Sequence, residues 1–142
     1  MVAPHEDLTR RVIAASMHVY NRLGSGFNEA LYDRAMCVAL EMQGLGFESQ
    51  RSVEIFFEGA SVGLYYLDFL VEGKVVVEIK ALPELNSSHL AQTITYLTGT
   101  GCQVGLLINF GTSKLEWRRV FPPRRVQDHA QRRANQDFRL GS

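Results

Sequence analysis

Glu78 and Lys80 stand two residues apart at the end of the run Val75-Val76-Val77-Glu78-Ile79-Lys80, and Asp68 lies ten residues before Glu78. In a β-strand successive side chains point to opposite faces, so Val76, Glu78 and Lys80 share one face and Val75, Val77 and Ile79 the other. Three consecutive valines predict a strand covered on both sides, where charged groups need a partner or a cation. One reading is a Glu-Lys ion pair at a solvated strand end. The other is chemical. Carboxylate oxygens with retained waters suit Mg²⁺ or Mn²⁺, such an ion polarises a phosphoryl oxygen and generates hydroxide, and a nearby ammonium orients water or stabilises developing negative charge.

Whether Asp68 can join them depends on the turn between two predicted strands, Leu64 to Val71 and Lys74 to Lys80. A two-residue loop, Glu72-Gly73, sets Asp68 opposite Val77 and away from Glu78. A three-residue loop, Glu72-Gly73-Lys74, sets it directly opposite Glu78 on the same face. Such loops need a residue with positive φ, and Gly73 supplies one. The sequence thus permits two carboxylates and an ammonium to converge, and a three-residue loop or an equivalent bulge is the expected arrangement.

The elements around this hairpin follow from periodicity. Leu8, Val12, Ala15, Val19 and Leu23 recur at helical spacing over residues 6–23, with Gly24 as the stop. A second helix, about 28–43, has Asn28 as its cap and Leu31, Ala35, Val38, Ala39 and Met42 as its apolar stripe; Gly44 and Gly46 end it. Ser52 to Phe57 reads as a strand before a turn at Gly59. After Pro83, Ser87 or Ser88 would cap a third helix running to about Thr98, with Leu90, Ile94 and Leu97 turned inward and Gly99 and Gly101 closing it. Gln103 to Asn109 reads as a buried strand and Leu115 to Phe121 as a last one before Pro122-Pro123. The order α-α-β-β-β-α-β-β predicts a single α/β domain, a central mixed sheet flanked by helices, over residues 1–121.

The chain has 142 residues, 46% of them hydrophobic and 21% charged, which suits one soluble domain with its own core. No apolar run is long enough to span a bilayer and the N-terminus lacks a signal-peptide core, so a cytoplasmic location is expected. Cys37 and Cys102 lack metal or redox spacing and read as structural thiols. The zero net charge conceals an asymmetry: residues 1–113 carry 7 Lys/Arg against 12 Asp/Glu, and residues 114–142 carry 8 against 3. Arg118, Arg119, Arg124 and Arg125 open this basic end, with residues 122–142 as a tail. They are candidates for contacts with a phosphate backbone, or a solvated feature that aids solubility.

Asp68, followed by Glu78-Ile79-Lys80 at the end of the next strand, resembles the PD-(D/E)xK nuclease superfamily, with Leu67 where that pattern has Pro. The third helix carries Gln92-Thr93-Ile94-Thr95-Tyr96, similar to the Q-x-x-x-Y of the RecB-like exonuclease branch; residues at i and i+4 share a helix face, and His89 lies one turn earlier. Alternatively, Tyr96 is half-buried core, and Gln92 and His89 are surface residues. Gly26-Phe27-Asn28-Glu29-Ala30-Leu31-Tyr32 is similar to the signature of the GxxExxY family, assigned to the same superfamily, and the likeness extends from Leu8 to about Val120.

The resemblance implies a PD-(D/E)xK fold and a Mg²⁺- or Mn²⁺-dependent nuclease acting on nucleic acid, DNA before RNA. Asp68 and Glu78 would hold the metal and Glu29 would assist. Lys80 would position the attacking water, and Gln92 and Tyr96 would support the site or hold substrate. Read from the residues alone, Gly26 makes a backbone turn, Glu29 favours the helix N-terminus electrostatically and Tyr32 packs in the core; Glu29 can serve both purposes. The alternative function is a catalytically silent nucleic-acid-binding module with this fold, and a third is an interaction protein whose acids are structural.

Overall fold

A computed structural model describes residues 3–123. The expected element order is present: α1 (Glu6–Leu23), α2 (Glu29–Met42), β1 (Phe47–Phe57), β2 (Ala60–Val71), β3 (Val75–Lys80), α3 (Ser87–Thr100), β4 (Val104–Asn109) and β5 (Glu116–Val120). The strands form one mixed sheet in the order β1-β2-β3-β4-β5. Only β3 and β4 run parallel, as a crossover through α3 requires, and the other neighbours are antiparallel. Among the described residues no helix is long and apolar enough to cross a membrane.

Two apolar layers sandwich the sheet. On one face Phe69, Val71, Val75, Val77, Ile79, Val104, Leu106 and Ile108 pack against Val12, Val19, Tyr32, Met36 and Leu40 of α1 and α2. On the other, Val53, Leu67, Leu70, Val76 and Leu107 pack against Tyr96 and Leu97 of α3. Both faces of β3 and β4 are thus buried, which accounts for their unbroken apolar runs.

Strands β1 and β2 begin earlier than expected, at Phe47 and Ala60 rather than Ser52 and Leu64, and three further details depart from the sequence reading. The buried face of α2 is Tyr32, Met36, Ala39 and Leu40, while Val38 and Met42 are exposed. This rotated stripe arises because Tyr32 turns inward, stacks on Phe110 with ring centroids 4.5 Å apart, and sets the helix phase. The third helix is capped by Asn86, whose side chain accepts from the backbone N–H groups of Ser88 and His89, rather than by Ser87 or Ser88. Gly99 lies inside α3, where a Cβ would come within 2.1 Å of Val53 Cγ1; it is the point at which helix and β1 touch, and Gly101 alone is the left-handed cap. Asn28 caps α2 and Gly24 ends α1 as expected.

Candidate active site

The β2–β3 register pairs Val71 with Val75, Leu70 with Val76 and Phe69 with Val77, leaving Glu72, Gly73 and Lys74 as the loop. Both Glu72 and Gly73 have positive φ, at 53° and 66°. This is the three-residue hairpin, and it brings Asp68 level with Glu78. There the backbone ladder gives way to side chains. The Asp68 N–H donates to Glu78 Oε1 at 2.9 Å, and the Ile79 N–H donates to Asp68 Oδ2 at 2.7 Å.

A local inversion of both partner strands creates this point. In β1, Phe47 packs on the α1/α2 side whereas Val53 and Ile55 pack on the α3 side; in β2, Phe69 and Leu67 are likewise on opposite sides. Odd-numbered residues therefore change face between Phe47 and Val53 and between Phe69 and Leu67, yet the pairing keeps its register from Phe47↔Val71 to Ile55↔Gly63. At the change lies Gln50, in the left-handed region with φ 52°. A non-glycine residue there costs about 1–2 kcal/mol and needs support from its surroundings.

Burial dominates the electrostatics. Glu78 is 3% exposed. Its carboxyl is pushed up to about 8, first by burial and then by Asp68, with the Asp68 N–H and the Lys80 ammonium opposing the shift. Asp68 is raised by burial against the pull of the Ile79 N–H, Gln50 and Lys80. Lys80, half-buried, donates from Nζ to Gln92 Oε1 at 3.0 Å, so the first polar residue of the Q-x-x-x-Y pattern meets the lysine directly. Tyr96, one turn on, is 4% exposed and stands edge-on to Tyr65 with centroids 6.1 Å apart. Burial, then Glu78 and Asp68, push its phenol up to about 12.

Glu29 begins α2 and is exposed. Burial of its carboxyl raises it; Lys80 and His89 pull it down, and Asp68 pushes it up, so it senses the site across a gap. His89 spends Nδ1 accepting the Asn86 N–H in the α3 cap. Tyr32 is fully buried, and its hydroxyl donates to the Gly24 carbonyl and accepts the Phe27 N–H, fixing the turn into α2. Arg118 shares the rung Glu78↔Leu107↔Arg118 on the α3 side, while Arg119 lies on the other face and donates from Nε to Thr9 Oγ1 at 3.1 Å. Arg124 and Arg125 lie outside the described residues.

Three participants were missed from sequence. Asp33, one helical turn after Glu29, accepts from Gln50 Nε2 at 3.0 Å, and burial and Asp68 push it up to about 6. Its i, i+4 spacing from Glu29 was the available signal. Gln50 also donates to Asp68 Oδ1 at 3.3 Å, and nothing in its neighbourhood marked it. Asn109 is fully buried in β4. It accepts the Leu82 and Gly111 N–H groups through Oδ1 and donates to the Leu82 carbonyl, fastening the chain just past Lys80. A buried polar residue ending an apolar strand was its signal.

Among the described residues no three His, Cys, Asp or Glu side chains converge into a ready-formed metal site. The donor set nevertheless fits a small hard cation. Asp68 and Glu78 offer only oxygens, and backbone N–H groups hold one oxygen of each in place. Ions of the Mg²⁺ type commonly take one or two carboxylates and keep several waters.

No curated protein sequence matches the chain significantly. Among solved structures, the crystal structure of SSO0001 aligns with a TM-score of 0.52 at 17% identity over 72% of this chain, and the chain spans 55% of that protein's length. This supports the fold. A family model matches residues 6–120, from the start of α1 to the end of β5 and including Asp68, Glu78 and Lys80. The chain belongs to the PD-(D/E)XK nuclease superfamily.

Proposed function

We propose that the chain is a Mg²⁺- or Mn²⁺-dependent nuclease that hydrolyses phosphodiester bonds of nucleic acid, within the RecB-like branch and the GxxExxY group. The observation that carries this reading is the meeting of two backbone-held carboxyls, the buried Glu78 and the half-buried Asp68, within the field of an ammonium, Lys80, steered by Gln92. A bound divalent ion would supply Lewis-acid activation of water and phosphate. Asp68 and Glu78 would hold that ion, with Glu29 reaching in from α2. The Lys80 ammonium orients the attacking water and faces the charge that develops on the phosphoryl oxygens. Gln92 fixes Lys80, and the buried Tyr96 closes the α3 side.

Arg118, on the Glu78 rung, would meet a substrate phosphate, and Arg124 and Arg125 are further candidates for such contacts by their charge in the sequence. DNA is the substrate expected before RNA, and the cytoplasm the expected location. A panel of single- and double-stranded DNA and RNA, with Mg²⁺, Mn²⁺ or EDTA and a Lys80→Ala control, tests the reading. Metal-dependent cleavage that Lys80→Ala abolishes is expected. Binding that persists in EDTA without any cleavage would identify a silent binding module instead.

A further inference from the structure

Gln50 joins two acids from different elements through a single nitrogen. Its Nε2 donates to Asp33 Oδ2 at 3.0 Å and to Asp68 Oδ1 at 3.3 Å. Both partners are acceptors only, so the amide must present its nitrogen to them. One NH₂ carries two hydrogens, enough for both. The other oxygen of Asp68 is fixed by the Ile79 N–H, so the strand backbone holds one side of that carboxyl and Gln50 the other.

The choice of a neutral donor is informative. An arginine or lysine at this position would also bridge the acids, but it would compete with a cation for the charge on Asp68. A carboxamide steers the same oxygens and leaves their charge in place. The bridge also crosses elements: Asp33 lies one turn after Glu29 on α2, so fastening Asp33 to Asp68 fixes where the N-terminal turn of α2 sits over the strand pair. Gln50 makes both bonds from a backbone in the left-handed conformation at the inversion of β1.

We infer that Gln50 is a positioning residue, a clamp that orients the Asp68 carboxylate and ties it to the Glu29-bearing end of α2. This rests on the proposed metal-dependent site for its consequence, while the clamp itself is measurable without metal. Partners that orient metal-binding carboxylates typically change metal affinity or activity by about 10–100-fold when removed.

The test uses the full chain, with Mn²⁺ as the probe followed by electron paramagnetic resonance and calorimetry, and melting curves in EDTA. Gln50→Ala and Gln50→Gly should each weaken Mn²⁺ binding by roughly tenfold or more while remaining folded. Gly adopts the left-handed backbone freely, so it separates the amide from the conformation. Should Gln50→Gly bind Mn²⁺ like wild type, the residue serves only the backbone and the inference is overturned. Gln50→Ala and Asp68→Ala should shift the melting temperature in EDTA by less together than the sum of their separate shifts, because each breaks the same bond. Additive shifts would overturn the clamp. If wild type binds no Mn²⁺, the proposed function falls, and the cycle in EDTA alone decides the clamp.

Discussion

The Asp68 backbone N–H donates to the Glu78 carboxylate at 2.9 Å, a side-chain bond that begins where the β2–β3 pairing ends at Phe69 and Val77. Two acids are thereby built into the sheet where β2 and β3 part, and one of them is almost wholly buried. A buried carboxyl is costly to ionise unless a positive charge shares the site. Adding Mg²⁺ or Mn²⁺ should therefore stabilise the protein. At one hundred times the dissociation constant the gain is about 2.7 kcal/mol, or roughly 5–15 °C in melting temperature for a domain of this size. Asp68→Asn should show no such response in differential scanning calorimetry; an undiminished metal shift would remove Asp68 from the site.

Lys80→Ala should keep Mn²⁺ affinity within about threefold and reduce cleavage by about 10²–10³-fold, the cost of removing one preorganised donor to developing charge. Gln92→Ala should fall in between, since it frees Lys80 without deleting it. Single-turnover rates at saturating metal distinguish these effects from metal loss. Wild-type rates in Lys80→Ala would refute its role.

The metal-free protein should lose stability as pH rises. Glu78 is raised to about 8 in the fold from an ordinary 4.5, so between those values the native state holds a proton that the unfolded chain has released. Its contribution is fully present below about 4.5 and lost as pH climbs toward 8. Asp33, raised to about 6 from 3.8, adds a smaller loss at lower pH. At about 1.4 kcal/mol per pKa unit the Glu78 loss amounts to a few kcal/mol. Urea melts from pH 5 to 8.5 in EDTA should show this slope, and Glu78→Gln should flatten it. A curve as steep in Glu78→Gln as in wild type would contradict the assignment.

Tyr32 in the G-x-x-E-x-x-Y stretch is a structural residue by its contacts. Tyr32→Phe leaves the stack on Phe110 and breaks the bonds to Gly24 and Phe27, for an expected loss of about 1–2 kcal/mol. Tyr32→Ala also empties a core site and should cost about 3–5 kcal/mol. Chemical denaturation measures both, and cleavage by Tyr32→Phe should stay near wild type.

Arg118 and Arg119 are adjacent in sequence but face opposite sides of the sheet. If Arg118 meets a substrate phosphate, Arg118→Ala should lower the slope of log affinity against log salt by about 0.9 on duplex DNA. Arg119→Ala should leave that slope unchanged and lower stability slightly, through its bond to Thr9. Equal slopes for Arg118→Ala and wild type would remove it from the interface.

The element order was legible in the sequence, as was a hairpin able to set Asp68 opposite Glu78, because these follow from local rules. Alternation and helical spacing mark buried faces, and Gly73 marks a turn whose length sets parity across one hairpin. The meeting of Lys80 with Gln92 was expected only through the likeness to the Q-x-x-x-Y pattern and its i, i+4 spacing on α3. The tertiary structure alone decided the rest. Val38 and Met42 fit the apolar spacing of α2, yet Tyr32, stacked on a distant Phe110, set which face turned inward. The inversion at Gln50 and Asp68 leaves no periodic trace, because both strands change face together and keep their register. Gln50, Asp33 and Asp68 belong to different elements, and the two carboxyls that Gln50 joins become neighbours only when α2 packs over the sheet. Burial within the folded sheet also raises Glu78, a property no spacing of residues contains.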